Sequence, residues 1–138
     1  MTTDVMLHDR APTLDEYRAL CDAVGWSPVI DFEAAQISLA RSLVAVVAVH
    51  EGRVVGMGRL VGDGAMYAYL QDLAVDPVFH RRGIGDALVA RLVAHARARL
   101  RPKAFLGVFA TAAGADLYRR HGFERHAVLE GMFQVIRG

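Results

Sequence analysis

The sequence is poor in several things, and each scarcity closes a class of explanation. It has a single cysteine, Cys21, in 138 residues, so neither an intramolecular disulfide framework nor a multi-cysteine metal site can be built, and the chain suits a reducing compartment. No sign of charge dominates: 16 Lys and Arg stand against 15 Asp and Glu, a net +1. That balance gives no global reason to expect nucleic acid or an anionic membrane as partner. Long hydrophobic runs are missing, since the most apolar stretch, LVAVVAV at 43–49, is far too short to span a bilayer. The amino-terminal MTTDVMLHDR contains acidic residues and lacks the apolar run of a signal peptide. The six histidines show no metal-type spacing, so no metal site is expected. No internal repeat, low-complexity segment or linker is visible. What remains is 54% hydrophobic and 22% charged, a balance that excludes disorder and allows one domain over 1–138 with a real core. Its expected location is the cytoplasm.

Local patterns predict a mixed sheet flanked by helices. Thr13 and Glu16 have the spacing of a capping box, and Leu14, Tyr17, Leu20, Cys21 and Val24 recur at helical spacing until Gly25. Asp31 is the next cap, followed by a short helix with Phe32, Ala35, Ile37 and Leu39. SLVAVVAVH and VVGMGRLVG read as a hairpin around EGR. A third strand covers 66–75 and ends at Asp76-Pro77. A long helix starts near Gly83, with Ile84, Leu88, Leu92, Val93, Ala96 and Leu100 on one face and Pro102 at its end. Residues 104–111 read as a strand, AAGADLYRRH as a short helix stopped by Gly122, and Phe123 onward as one or two final strands. The predicted order is ααβββαβαβ, a single twisted mixed sheet of the α/β (α+β) class.

The chemistry concentrates at HRRGIGDALV, which opens at His80. Arg81 and Arg82 supply charge, and Gly83 and Gly85 let backbone approach a ligand without Cβ interference. The helix start behind them offers unpaired N–H groups and the positive end of its dipole. Together these make an anion site of the pyrophosphate-binding kind. It is not a P-loop, because no Gly-Lys-Ser/Thr follows. Nor is it a dinucleotide fingerprint, because position 88 is Leu and the following strand lacks the carboxylate that grips a ribose.

LAVDPVFHRRGIGDALV resembles the acyl-CoA-binding motif of the GCN5-related N-acetyltransferases, Gln/Arg-x-x-Gly-x-Gly/Ala after a strand ending in Val-x-Pro. His80 stands where that family has Gln or Arg. A second block, LYRRHGF at 117–123, resembles the family's Leu/Phe-Tyr-x-x-x-Gly-Phe, and helix and strand separate the blocks as they do there. The resemblance covers residues 43–123 well.

The resemblance implies the acyl-CoA N-acyltransferase fold and transfer of acetyl from acetyl-CoA to a primary amine by direct attack, without an acyl-enzyme. It implies that His80, Arg81, Arg82, Gly83, Ile84, Gly85 and Asp86 hold the pyrophosphate. Backbone groups of Leu73, Ala74 and Val75 would hold the pantetheine arm, where strand 66–75 splays from strand 104–111, and would polarise the thioester. Tyr118 would protonate the leaving thiolate. Thr111 stands where many relatives have an Asn that touches the arm, and its hydroxyl replaces part of that bonding. A general base or water relay is needed, and Tyr69, Gln71 and Asp72 are its candidates, with Glu33, His50 and His121 behind them. Strict alternation puts Tyr67, Tyr69, Gln71, Leu73 and Val75 on one face and Asp72 on the other, unless a bulge changes the register. Trp26 either covers the core or lines an acceptor pocket. A small-molecule amine is the favoured acceptor. Protein lysines or N-termini, and a non-catalytic acyl-CoA-binding module, are the alternatives. The terminal GMFQVI presents an apolar edge suited to a homodimer.

Overall fold

The apolar runs of the middle third fold into a sheet whose two faces are covered by different helices. The computed structural model describes residues 4–138. Five strands, β1 (Val5–His8), β2 (Val44–His50), β3 (Arg53–Gly62), β4 (Tyr67–Val75) and β5 (Phe105–Val108), lie side by side in that order. All neighbours are antiparallel except β4 and β5, which are parallel. A parallel pair needs a crossover, and α3 (Ile84–Arg99) supplies it. Before the hairpin come α1 (Leu14–Val24) and α2 (Phe32–Ala40), and α4 (Ala115–Arg119) follows β5.

The first two helices start as their sequences dictate. Thr13 Oγ1 accepts from the Glu16 amide while the Glu16 carboxylate accepts from the Thr13 amide, closing the capping box. Gly25 ends α1 at φ +83°, a conformation that suits glycine. The Asp31 carboxylate caps α2. Ala35 and Leu39 of that helix face inward, but Ile37 is exposed.

Two apolar clusters result, one on each face. Ile84, Leu88, Val89, Leu92 and Ala96 of α3 pack on Val44, Val46, Ala48, Val55, Leu60 and Leu70. Tyr17, Leu20, Cys21, Ala35 and Leu39 pack on Val47, Val54, Met57 and Ala74. The helix α3 comes very close to β3, where a Cβ on Gly58 would lie 2.7 Å from Leu92 Cδ1.

Three expectations are corrected. β1 was not foreseen, which makes the order βααβββαβα. The final strands do not form: no helix or strand follows α4 among the described residues. A strand needs a sheet edge to bond with, and the five-stranded sheet ends at β5 with no tail residue paired to it. Strict alternation along β4 also fails. Met57 pairs with Ala74 and Arg59 with Gln71, so Gly58 alone opposes both Asp72 and Leu73. This is a β-bulge. Beyond it Leu73 and Val75 join Leu70 in the α3 cluster, while Ala74 joins the α1 cluster.

The close approach of α3 to β3 gives a double-mutant test. Leu92→Ala should cost about 2–5 kcal/mol and Gly58→Ala about 1–3 kcal/mol by overpacking. In urea unfolding the double variant should lose less than the sum of the two, because the new methyl enters the space that Leu92 vacates.

Candidate active site

The bulge is where the site begins. Asp72 sits at φ +56°, a strained conformation for a residue with a side chain. Its carboxylate receives Arg59 Nε at 2.7 Å. The same guanidinium donates to Ser38 O at 3.0 Å, Ser38 Oγ at 2.9 Å and Ser42 Oγ at 3.3 Å. Arg59 is 9% exposed, so the pair is sheltered, and each guanidinium nitrogen has a partner, as a buried charge requires. The bulge is therefore tied to α2 and the turn after it.

β4 and β5 pair from Tyr67–Phe105 to Leu70–Val108 and no further, while β4 continues to Val75. The gap between them opens into a cleft of about 850 Å³. Its walls are residues 70–75 of β4, Val108 and Phe109 at the end of β5, and Trp26, Val29 and Ile30 from the turn after α1. The floor is the glycine turn and the start of α3, and Thr111, Gly114, Leu117, Tyr118 and Arg120 close the remaining side.

Local chemistry shapes that floor. The Asp76 carboxylate accepts from the Val78 amide and from Arg53, starting a 3-10 turn over Pro77–Phe79. His80 Nε2 donates to Val75 O at 2.9 Å, stitching the turn to the end of β4. Arg81 and Gly83 both take positive φ, +63° and +76°, the left-handed backbone from which anion-binding nests are built. Gly83 offers no side-chain cap to α3, so the first amides of that helix have no side chain over them. Arg81 lines the cleft, and among the described residues it has no ion-pair partner. Arg82 lies elsewhere, its guanidinium 4.9 Å from the centre of the Phe79 ring.

The other side of the floor is latched. Asp86, in the first turn of α3, accepts from Arg120 Nη2 at 3.0 Å and from His121 Nε2 at 2.9 Å. These hydrogen bonds hold its carboxyl below the usual carboxylate range, the Arg120 bond contributing most. They fix α4 and bring Tyr118 to the cleft wall. Tyr118 rests edge-on against Phe123, with ring centres 5.8 Å apart. Burial pushes its phenol above the ordinary value, so it is protonated at neutral pH. Thr111 Oγ1 accepts from the Gly114 amide at 3.1 Å, ordering the turn before α4.

The structure thus brings together Gln71, Asp72, Leu73, Ala74, Val75, His80, Arg81, Gly83, Ile84, Gly85, Asp86, Thr111 and Tyr118. Tyr69 is not in the cleft wall; its ring stacks on Phe109 at 6.5 Å and 7°. Trp26 packs on the α1 cluster, and it also lines the cleft. Sequence reasoning passed over Arg59 and Arg120, and weighed His121 only as a base and not as a partner of Asp86. The signal for Arg59 was a lone charge in the apolar strand VVGMGRLVG, which demands a partner. Arg120 and His121 gave no local signal, since their partner is 34 and 35 residues away.

A splayed mixed sheet with a glycine turn feeding a helix at the splay defines the acyl-CoA N-acyltransferase fold, and comparisons agree. Residues 41–125 match the acetyltransferase (GNAT) domain family. The histone acetyltransferase TAP1 of Glycine max is 32% identical over 96% of this chain and 62% of its own length. GCN5-related N-acetyltransferase 2 of Arabidopsis thaliana is 30% identical over 86% of this chain and 53% of its own. The chain therefore spans between half and two thirds of these curated relatives. A probable acetyltransferase of unknown function from Staphylococcus aureus superposes with a TM-score of 0.88 at 25% identity, covering 96% of this chain and 99% of that one. A GNAT-family acetyltransferase from Streptococcus pneumoniae gives 0.82 at 29%, covering 97% and 99%. The chain belongs to the GNAT family.

The latch predicts an acid response. A carboxylate whose pKa is depressed by folding adds stability above its unfolded value, near 3.9, and loses it as pH falls through the folded value. Thermal unfolding followed downward from pH 5 should therefore show a smaller loss for Asp86→Asn than for the wild type. Equal slopes would mean that the latch does not form.

Proposed function

We propose that the protein is an N-acetyltransferase that moves acetyl from acetyl-CoA to a small-molecule primary amine, acting in the cytoplasm as a homodimer. The observation that carries this is the cleft itself, which joins a splayed strand, an uncapped helix start with positive charge, and a protonated phenol.

The residues present fit the cofactor. The amides of 81–86 and the Arg81 guanidinium suit a pyrophosphate. The β4 backbone at Leu73–Val75 borders the splay, where an extended arm can bond as a strand would. When bound, acetyl-CoA supplies an acetyl group activated as a thioester. A β4 amide at Leu73–Val75 would polarise the thioester carbonyl, and Tyr118 Oη would hand a proton to the thiolate that leaves as the amine takes its place on the acetyl carbon. Direct attack is favoured because the cleft contains no cysteine. Cys21 lies fully buried in the α1 cluster, where desolvation raises its thiol pKa.

The amine must shed a proton. Asp72 already neutralises Arg59, so its role is to hold the bulge, and Gln71 is the polar group left on that wall to order a water for the proton. Tyr69, outside the wall, serves packing. Thr111, through its turn, and His80, through Val75 O, position the parts that touch the cofactor. The acceptor end is apolar, with Trp26, Val29, Ile30 and Phe109. The cleft's carboxylates, Asp72 and Asp86, are both paired, which favours a small amine with an apolar body over a polycationic protein tail.

Titration calorimetry with acetyl-CoA should show binding, weakened about tenfold (about 1.4 kcal/mol) by Arg81→Glu. Absence of binding at sub-millimolar cofactor overturns the reading. Tyr118→Phe should lower kcat by about 10²-fold with cofactor affinity nearly intact. Thiol release assayed over a panel of amines and lysine peptides distinguishes acceptor classes, and binding without turnover on any of them would instead mark an acyl-CoA sensor.

A further inference from the structure

The acidic groups that line the cleft are already paired. Asp72 holds Arg59 at 2.7 Å, and Asp86 holds Arg120 at 3.0 Å and His121 at 2.9 Å. His80 Nε2 is bonded to Val75 O at 2.9 Å. Gln71 carries an amide, which does not ionise, and Tyr118 keeps its proton because burial pushes its phenol up. The one charged lining residue with no ion-pair partner among the described residues is a cation, Arg81.

This charge pattern bears on the ionisation of the acceptor. Attack needs a lone pair on nitrogen, so the amine must react in its neutral form. An alkylamine as basic as a lysine side chain, with a pKa of about 10.4, has only about one molecule in 2,500 neutral at pH 7. Its ammonium ion leaves water readily only for a negative partner, and a free guanidinium nearby opposes it. An amine whose nitrogen is attached directly to an aromatic ring is weakly basic. It is neutral at pH 7 and needs neither a counter-ion nor a strong base.

The apolar lining suits such a ring. Trp26 is half-buried and packs on the α1 cluster while still reaching the cleft. Phe109 lines the cleft with 54% of its surface open, and its ring is stacked on Tyr69 at 6.5 Å and 7°. Val29, at the same end, is 84% exposed. A flat apolar ligand covers such side chains and adds ring-to-ring contact.

We propose that the acceptor is an aromatic primary amine of low basicity, bound neutral against the Trp26 and Phe109 rings. This rests on the acetyl-transfer reading above and narrows its acceptor. The proton balance closes without a strong base. The lone pair of the amine makes the bond to the acetyl carbon, and the carbon–sulfur pair leaves with sulfur. The water at Gln71 takes the proton that nitrogen sheds, while Tyr118 gives one to sulfur and recovers it from water.

Two isomers of equal size provide the test: 4-methylaniline is neutral at pH 7 and benzylamine is an ammonium ion. Trp26 is the only tryptophan, so its indole N–H gives a single NMR signal. Titrated at pH 7 without cofactor, 4-methylaniline should move that signal at concentrations at least about tenfold lower than benzylamine does, and the gap should close once benzylamine is neutral, at about pH 10. Gln71→Glu, which adds a free carboxylate, should strengthen benzylamine binding by about tenfold. With acetyl-CoA present, thiol release on 4-methylaniline should be nearly level between pH 7 and 9, whereas any release on benzylamine should climb about tenfold per pH unit with its neutral fraction. Equal or tighter binding of benzylamine at pH 7, no shift with either isomer, or thiol release on benzylamine alone overturns the proposal. Failure of acetyl-CoA to bind in the calorimetry above sinks the reading beneath it instead, and the titration, made without cofactor, still decides which amine the cleft prefers.

Discussion

The ion pair between Arg59 and Asp72 is the constraint on which the site rests. An aspartate at positive φ in mid-strand costs about 1–3 kcal/mol, and a sheltered arginine with a partner on every nitrogen offsets it. The result is one extra residue in β4 relative to β3. That residue bends the strand away from β5, and the cleft is the space left behind. Leu73 turns toward α3 for the same reason, and Gly58 opposite leaves room for it: a Cβ there would approach Leu73 Cδ1 to 3.2 Å. Splay, cleft and backbone wall are thus consequences of one local choice of register.

The turn after β4 and the α4 latch build on that wall from opposite sides. Asp76 and His80 fix how the chain leaves β4, and Asp86 fixes where α4 arrives. Asp86 is an acid at a helix start, where the dipole favours it, yet it sits beside amides suited to an anion. Arg120 resolves the conflict by neutralising it. The carboxylate is therefore free to act as a tether without repelling phosphate.

Much of this was legible in the sequence because it is local. Caps at Thr13 and Asp31, the stop at Gly25, the hairpin and the long α3 all follow from neighbours in the chain. So does the glycine turn, with its two arginines. β1 escaped notice because four residues, VMLH, give too short a pattern, with Val5 buried and Met6 exposed. The bulge was visible only as a possibility, since no glycine marks it and the strain falls on Asp72. The tail reads as strand by composition, but a strand needs an edge to pair with, and composition cannot say whose. Arg59, Arg120 and His121 depend on partners distant in sequence, which periodicity does not reveal.

The two apolar clusters share only the sheet between them. Residues that meet α3 and residues that meet α1 and α2 alternate along β2 and β3, so a side chain on one face has no neighbour on the other. Substitutions far apart and without common partners add nearly independently. The half that carries α1 and α2 can accordingly change its packing while the half built on α3 stays as it is. Arg59 is where that independence ends, because its guanidinium reaches from the sheet to Ser38 on α2.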